Sequence, residues 1–294
     1  MNSYFSTFSV LFSAICALAI GVAYTFGDHG FNGSLVNTTD AASTAVITLP
    51  FTYPFTVDGR LEEAGNMSES SSPYWWVNSG GFMDLKNGLG KTNQGNLPNA
   101  SKWQKLYARG NPTDTDNGFH PQNIFRLLLR TKWEDTAQQV YLKINTYNLS
   151  ISPNRAASNG VLLMSNYLDQ NNLYYAGLRV DGYAVIKKKK ADVYYTMAYK
   201  PVINTSTYNR DTNPNLLPTN VWMGVKSEVK ELSGGRISIK LYADIGKTGT
   251  WKLVAEAIDD GMSYGGEAIT SAGYVGLRSD FMDLEFDDFK LSPI

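Results

Sequence analysis

Residues 171–190 read NNLYYAGLRVDGYAVIKKKK, and this stretch decides the fold. Two runs rich in tyrosine and aliphatic residues flank the dipeptide Asp181-Gly182. Asp-Gly between two such runs is a strong signal for a β-hairpin, because both residues tolerate the backbone of a tight turn. The stretch therefore predicts two antiparallel strands that are joined at this dipeptide.

The residues upstream of this hairpin alternate in the way that a strand requires. Phe125, Leu127 and Leu129 fall on one face of the predicted strand, and Arg126 and Arg130 fall on the other. Successive side chains of a strand point to opposite faces, so one face is predicted to be buried and the other polar.

The next run alternates in the same way. Three aliphatic side chains share one face and three polar ones the other: Val140, Leu142 and Ile144 against Tyr141, Lys143 and Asn145. Further runs of this kind follow at short spacing, and no stretch of the folded part holds a 3.6-residue apolar period for long. The pattern predicts an all-β protein, an antiparallel two-sheet β-sandwich of the jelly-roll kind.

Charge and cysteine content exclude several classes of protein. The chain has 26 basic and 27 acidic residues, so there is no electrostatic case for a nucleic-acid partner. Its one cysteine, Cys16, lies in an apolar N-terminal run, which leaves the folded part without a disulfide or a zinc site of four cysteines.

The N-terminal region predicts export. Residues 4–26 hold no charged side chain and are long enough, as one apolar helix, to span a bilayer. Two alternatives remain open for residues 1–26: a cleaved signal peptide, or a membrane anchor that stays attached. Residues 27–45 predict a flexible tether, and residues 46–294 predict the folded domain. We expect an extracellular or cell-surface protein whose membrane contact is confined to residues 4–26.

Glycosylation is possible at sites scattered along the chain. Six Asn-x-Ser/Thr sequons are candidates: Asn32, Asn37, Asn66, Asn99, Asn148 and Asn204.

Three segments of the C-terminal half resemble the concanavalin A-like lectin/glucanase superfamily, including its laminin G-like members. They are LYYAGLRVDGYAVIKK, ISIKLYADIGKTGTWKLVAEAIDD and AGYVGLRSDFMDLEFDDFKL. The resemblance covers about residues 50–294 and implies a jelly roll in which the early segment FTVDGRLEEA pairs beside the last strand. It also implies a glycan or polysaccharide as the ligand.

The acidic last strand suggests a structural calcium ion. In many carbohydrate-binding jelly rolls a similar ending holds calcium together with groups of the first strand, which here implies Asp287, Asp288 and Asp58 as ligands. Calcium takes carboxylate and carbonyl oxygens, so the residue types fit. The alternative is that these charges are solvated and protect an edge strand from aggregation.

Two kinds of polysaccharide-active enzyme require different residues. Retaining glycoside hydrolases of this superfamily typically carry Glu-x-Asp-x-x-Glu on one strand, and this chain has no such motif. A polysaccharide lyase needs a cation that neutralises a uronate and a base that removes the neighbouring proton. His120, Arg126, Tyr141 and Lys143 supply those types if the two polar strand faces coincide.

Residues 63–122 are rich in Gly, Asn, Ser and Pro and predict long surface loops studded with aromatic residues. Tyr74, Trp75, Trp76 and Trp103 lie in them, and flat rings stack well on the apolar faces of sugars. These four are predicted ligand-binding residues, although one tryptophan of an adjacent pair is expected to be buried.

The polar strand faces add Arg126, Arg130 and Asn145 to the predicted ligand-binding residues. The lysine run 187–190 is expected to be solvated, with contact to an acidic glycan as the alternative.

The leading hypothesis is an exported or surface-tethered, non-catalytic carbohydrate-binding domain of lectin-like character. The first alternative is a polysaccharide-active enzyme, with a lyase ahead of a hydrolase. The second is a structural cell-surface protein that self-associates into filaments through its N-terminal segment.

Overall fold

Two antiparallel sheets face each other in the part of the chain that the computed structural model describes, residues 41–203 and 205–294. The strands of the first half are β1 (Phe51–Tyr53), β2 (Gly59–Glu62), β3 (Trp75–Ser79), β4 (Phe82–Lys86), β5 (Leu89–Thr92), β6 (Ile124–Trp133), β7 (Thr136–Tyr147) and β8 (Gly160–Asp169). Those of the second half are β9 (Asn172–Arg179), β10 (Tyr183–Lys190), β11 (Val193–Pro201), β12 (Trp222–Leu232), β13 (Arg236–Ile245), β14 (Lys252–Asp259), β15 (Gly273–Asp280) and β16 (Met282–Pro293).

The two sheets differ in size. A nine-stranded sheet has the order β14-β13-β12-β7-β16-β5-β4-β2, with β1 paired to β16. A seven-stranded sheet has the order β11-β10-β9-β8-β15-β6-β3. The predicted antiparallel β-sandwich is therefore confirmed.

The core lies between the sheets, where the alternation of the sequence predicted it. Phe125, Leu127 and Leu129 are fully buried there from the seven-stranded sheet. Val140 and Ile144 meet them from the nine-stranded sheet and are equally buried. The intervening residues of β6 and β7 consequently point away from the core, toward the outer faces of the sandwich.

The hairpin of residues 171–190 forms as β9 and β10, with Ala184 opposite Leu178. Its connection has three residues rather than two, because the backbone N–H of Gly182 donates to the carbonyl of Arg179 at 2.9 Å and the turn starts one residue early. Gly182 has φ +83°, the left-handed conformation that such a connection requires.

The first-strand prediction is correct only in part. β1 pairs with β16, with Thr52 opposite Lys290, as the resemblance implies for a first and a last strand. The segment FTVDGRLEEA contributes β2 instead, and β2 pairs with β4, with Leu61 opposite Met83. The strand beside β16 thus starts upstream of the segment that was expected to supply it.

Residues 63–122 are not the continuous loops that their composition predicted. They contain β3, β4, β5 and a helix, α1 (Lys102–Gly110), with two short 3-10 helices at Met67–Glu69 and Pro121–Asn123. Ser101 caps α1 by accepting a hydrogen bond from the backbone N–H of Gln104 at 3.4 Å. The strands here have four or five residues, too few for alternation to stand out among Gly, Asn and Ser.

Residues 1–40 and Asn204 lie outside the described residues, and the predicted signal peptide or anchor, most of the tether and the sequons at Asn32, Asn37 and Asn204 lie among them. Within the described residues no helix is both long and apolar enough to cross a membrane.

Candidate functional site

The outer face of the seven-stranded sheet carries tyrosines and cations on five of its strands. We call Arg126, Tyr175, Lys187, Tyr194 and Arg278 the basic tyrosine face. They lie on β6, β9, β10, β11 and β15 respectively. Most of these residues are next in sequence to a residue that is buried in the core. Tyr194 is assigned to the face by its contacts with Tyr175 and Lys187.

Strand alternation places these side chains outward. On β9, Tyr174 and Ala176 belong to the inter-sheet core, so Tyr175 points the other way. On β10, Ile186 belongs to the core, and Lys187 lies on the outer face directly opposite Tyr175. The run LYYAGLR therefore gives one tyrosine to the core and the next to the surface.

An apolar layer supports the face from within the sheet. Leu128, Met164 and Leu173 are fully buried on this outer side, in a cluster separate from the main core. Trp76 and Tyr274 pack against that cluster. The polar and aromatic groups above it are thus held on a closely packed base.

Aromatic contact orders the two tyrosines. The rings of Tyr175 and Tyr194 stack with centroids 6.1 Å apart and 28° between their planes. Tyr175 is nearly buried, whereas Tyr194 keeps 47% of its surface exposed. The contact with Tyr175 therefore fixes the position of the Tyr194 ring, and the exposed part of that ring is available to a flat ligand.

Cations surround this stack. Lys187 and Lys189 lie over the Tyr194 ring, with Nζ 5.6 and 4.9 Å from its centroid. The guanidinium of Arg278 lies 5.5 Å from the centroid of Tyr175, and Nη1 donates to its hydroxyl at 3.2 Å. Contacts of this geometry are attractive, because the ring face carries negative charge density.

A second tyrosine pair lies on the same outer face, farther along β10 and β11. Tyr183 and Tyr199 stack with centroids 4.1 Å apart and planes 7° from parallel, and Tyr199 is 42% exposed. Tyr199 is opposite Val185, and Tyr194 is opposite Lys189. Val185 and Lys189 are four positions apart on β10, which corresponds to roughly 13 Å at the rise of a β-strand.

The predicted aromatic residues are distributed over core and surface. Trp75 is fully buried and meets Phe289 edge to face with centroids 4.8 Å apart, so its prediction as a ligand contact is wrong. Tyr74 packs against the same core and stacks on Phe51 at 5.8 Å. Trp76 faces outward and donates from Nε1 to the carbonyl of Ala64 at 2.9 Å.

Trp103 lies on α1, away from the strand faces. Its Nε1 donates to Glu62 Oε2 at 2.6 Å, and Lys102 Nζ lies 4.4 Å from the centre of its ring. Trp103 thus helps to fix α1 against β2.

Arg130 is also wrong as a predicted ligand contact. It is 7% exposed, and Nη1 donates to the backbone carbonyls of Ala42, at 2.9 Å, and of Ser70 and Ser72. Its guanidinium holds an extended segment and a loop onto β6, so burial excludes contact with a ligand. Asn145 is half-buried on β7 and donates to Gln94 Oε1 at 2.8 Å.

The residues proposed for a lyase do not share one site. Arg126 lies on the outer face of the seven-stranded sheet, whereas Tyr141 and Lys143 lie on the outer face of the nine-stranded sheet, across the core. The expectation that these polar faces coincide is therefore wrong. Each face continues its own sheet, and the strands β6 and β7 belong to different sheets.

Three of these side chains, Tyr141, Lys143 and His120, are also engaged by carboxylates of the domain. The hydroxyl of Tyr141 donates to Asp244 at 2.8 Å, and burial together with that carboxylate raises the pKa of Tyr141 to about 12. Lys143 forms an ion pair with Glu285 at 2.5 Å. His120 Nδ1 lies 2.8 Å from Asp116 Oδ2. Tyr141 is consequently a poor base near neutral pH.

The three predicted calcium ligands are not brought together. Asp58 Oδ1 accepts a hydrogen bond from the backbone N–H of Asn87 at 3.0 Å. Asp287 and Asp288 lie at a bulge of β16, where Asp288 has φ +53°, and Lys247 Nζ is 3.7 and 2.9 Å from their carboxylates. Within the described residues no group of three or more metal-ligating side chains is gathered around one point.

The fold buries the asparagine of one predicted glycosylation site, Asn148. Asn148 is 7% exposed, and its Nδ2 donates to Asn123 Oδ1 and Asp283 Oδ1 at 3.1 and 3.0 Å. A glycan on that nitrogen is incompatible with both contacts, so Asn148 is wrong as a glycosylation candidate in the folded domain. Asn66 and Asn99 are exposed and remain candidates.

The site's main residues were not identified from the sequence, apart from Arg126. Tyr175, Lys187 and Tyr194 lie in segments that the sequence assigned to strands, but strand neighbours in a sheet cannot be read from alternation alone. The prediction that the lysine run 187–190 is solvated is wrong for Lys188, which is fully buried.

The comparisons with known proteins concern the fold. No family model matches the chain, and no curated protein matches it. Among solved structures it is similar to a carbohydrate-binding module, CBM66, from Bacillus subtilis, at 14% identity and TM-score 0.45, over 74% of this chain and 94% of that one.

Two further solved structures come from Bacillus licheniformis. The GH43 protein BlXynB matches at 12% identity and TM-score 0.45, over 83% of this chain and 39% of that one. A beta-glucanase matches at 9% identity and TM-score 0.43, over 83% and 98%.

Proposed function

We propose that this protein is a carbohydrate-binding domain and that it binds a polysaccharide on the basic tyrosine face. The observation that carries the proposal is the exposed ring of Tyr194, stacked on the nearly buried Tyr175 and flanked by Lys187 and Lys189. A fixed aromatic ring buries the apolar face of a sugar at little cost in conformational entropy. The surrounding N–H donors suit hydroxyl and ring oxygens.

The second tyrosine pair supports an extended ligand. Tyr199 and Tyr194 lie on one face, and their partners on β10, Val185 and Lys189, are four positions and so roughly 13 Å apart. That spacing exceeds a single sugar ring, so a chain of several sugars can cover both tyrosines while a monosaccharide covers one.

We propose that the domain acts without catalysis. The chain lacks the Glu-x-Asp-x-x-Glu motif of the hydrolases that it resembles. Of the residues considered for a lyase, Arg126 and Tyr141 lie on opposite faces of the sandwich, and Lys143, on the face of Tyr141, is paired with Glu285. We also propose that it is exported and stays at the cell surface or outside the cell. That part, like the filament alternative, depends on residues 1–26, which lie outside the described residues.

The proposal is tested by affinity electrophoresis of the full chain through gels that contain neutral or acidic polysaccharides. We expect at least one polymer to retard the wild type, and Tyr194→Ala to weaken the retardation. Tyr242→Ala is the matched control, because Tyr242 lies on the outer face of the nine-stranded sheet under Lys226, 4.1 Å from its ring centroid.

The outcomes separate the candidate functions. Retardation that Tyr242→Ala abolishes and Tyr194→Ala leaves intact moves the site to the other sheet and overturns the proposal. The release of unsaturated uronate, read by ultraviolet absorbance, would establish a lyase. Failure of every polymer to retard the wild type favours a structural surface protein.

A further inference from the structure

Two arginines lie directly opposite each other at the β15–β6 end of the basic tyrosine face. Arg126 on β6 and Arg278 on β15 are partners in the antiparallel register. Directly opposed side chains of an antiparallel pair lie close together, and like charges at such positions destabilise a sheet. Repulsion between the two guanidinium groups lowers the stability of the domain unless a negatively charged group lies near them.

The carboxylates of the domain neutralise only one of the two. Arg278 Nε donates to Asp280 Oδ1 at 2.8 Å, and Asp280 is almost fully buried. Within residues 41–203 and 205–294, Arg126 has no carboxylate in ion-pair contact. Glu63 is near enough for its charge to interact with Arg126, but its Oε2 is engaged by the hydroxyl of Tyr107 at 2.5 Å and the N–H of Gly81 at 2.7 Å.

Lys187 adds a second cation without an acidic partner among the described residues. It is half-buried, and its contact there is with the Tyr194 ring. Burial lowers the pKa of Lys187, and the positive charge of Arg179 lowers it further. An anion bound beside the ammonium would reverse both effects, since it would favour the charged form.

An unpaired acceptor belongs to the residue that precedes the strand partner of Arg126. Asn78 is the extra residue of a bulge in β3, between Val77 and Ser79, and Ser79 is opposite Arg126. The Oδ1 atom of Asn78 is buried and has no hydrogen-bond partner within the described residues.

We infer that the polysaccharide is anionic and that Arg126 binds its acidic groups, with Arg278 and Lys187 as the neighbouring cations. The inference rests on the proposed function, because it names the class of ligand for the same face. A guanidinium presents donors that match the two oxygens of a carboxylate or sulfate, so a repeating acidic sugar would complete the charge balance that the sheet lacks.

The test uses two pairs of polymers that differ only in charge, with the full chain as the binding protein. Polygalacturonate and its methyl ester form the carboxylate pair, and dextran sulfate and dextran form the sulfate pair. We expect the wild type to bind one or both anionic polymers and to bind the neutral partners at least tenfold more weakly. Binding of dextran sulfate alone would assign a sulfate rather than a carboxylate ligand.

Arg126→Gln is the decisive variant. Loss of a charge-assisted hydrogen bond to the ligand is expected to weaken binding by roughly 10- to 100-fold, and Arg126→Lys is expected to retain part of the affinity. The melting temperature of Arg126→Gln should be unchanged or higher, because the like-charge pair disappears. Arg236→Gln, on the exposed β12–β13 turn, removes the same charge elsewhere and should bind as the wild type does.

Two results would overturn the inference. One is equal affinity for the charged and neutral polymers of each pair, and the other is an Arg126→Gln variant that binds the acidic polymer as tightly as Arg236→Gln. Tyr194-dependent binding to a neutral polymer, with no preference for charge, would sink this inference and leave the proposed function standing.

Discussion

The ammonium of Lys188 lies 2.9 Å from the carboxylate of Asp259, and both side chains are fully buried. Lys188 Nζ also donates to the carbonyls of Gly266 and Glu267, each at 2.7 Å. The hydroxyl of Tyr174 donates to the same carboxylate at 2.6 Å. This buried ion pair, with further hydrogen bonds to both of its charged groups, thus connects β10 to the end of β14 and to the loop that follows.

Lys188→Met is expected to destabilise the domain by about 3–5 kcal/mol, because it leaves the Asp259 carboxylate buried without its cation. Lys188→Met combined with Asp259→Asn should recover part of that loss. Lys190→Met, in the same lysine run but partly exposed, should change the free energy of unfolding by less than about 0.5 kcal/mol. Urea unfolding curves give all three values, and equal stability of Lys188→Met and Lys190→Met would show that the ion pair does not form.

Trp75 and Trp76 are expected to respond differently to truncation. Trp75→Ala should cost about 3–5 kcal/mol of unfolding free energy, because it removes a fully buried ring that packs on Phe55 and Phe289. Trp76→Ala should cost clearly less, since that ring is only partly buried on the outer face. Equilibrium unfolding measures both, and the reverse order of the two losses would contradict the assignment of faces.

The carboxyl of Asp260 is expected to titrate at about 2. Hydrogen bonds from the side chain and the N–H of Ser263, and from the N–H of Met262, lower the pKa of Asp260 from its usual 3.8 to about 2. Because the folded-state pKa is the lower one, the turn contributes stability above pH 3.8 and loses it as the pH falls toward 2.

An NMR titration of the Asp260 side chain measures this value directly. Ser263→Ala should raise the pKa, since it removes the hydroxyl donor and keeps the backbone donors. An Asp260 that titrates at its usual value in the wild type would mean that the turn is not formed in solution.

Calcium at Asp287 and Asp288 would have to compete with the ammonium of Lys247, which lies 2.9 Å from Asp288. We expect Lys247→Ala to make the melting temperature more sensitive to calcium, because two adjacent carboxylates then lack a cation. Scanning calorimetry of both proteins, with calcium and with a chelator, provides the test. If neither melting temperature shifts, the calcium prediction fails.

The comparison of β6 with the run 187–190 shows what alternation can and cannot predict. In β6 Phe125, Leu127 and Leu129 share one face and both arginines, Arg126 and Arg130, fall on the other, so the buried face is evident from the amino-acid order. In the run KKKK all four residues are alike, and the sequence does not say that Lys188 turns inward while Lys187 and Lys189 turn outward. That choice depends on Asp259, which is distant in sequence and meets Lys188 only through tertiary packing.

The sequence by itself determined the class of fold, the hairpin around Asp181-Gly182 and the inward faces of β6 and β7, because these follow from local turn preferences and the two-residue period of a strand. Only the tertiary structure decided that Tyr141 and Arg126 lie on opposite sheets and that Arg278 lies beside Arg126. The order of strands in a sheet is set by contacts between segments far apart in the chain. The candidate site consists of such contacts, so it became visible only when β6, β15, β9, β10 and β11 were brought together in one sheet.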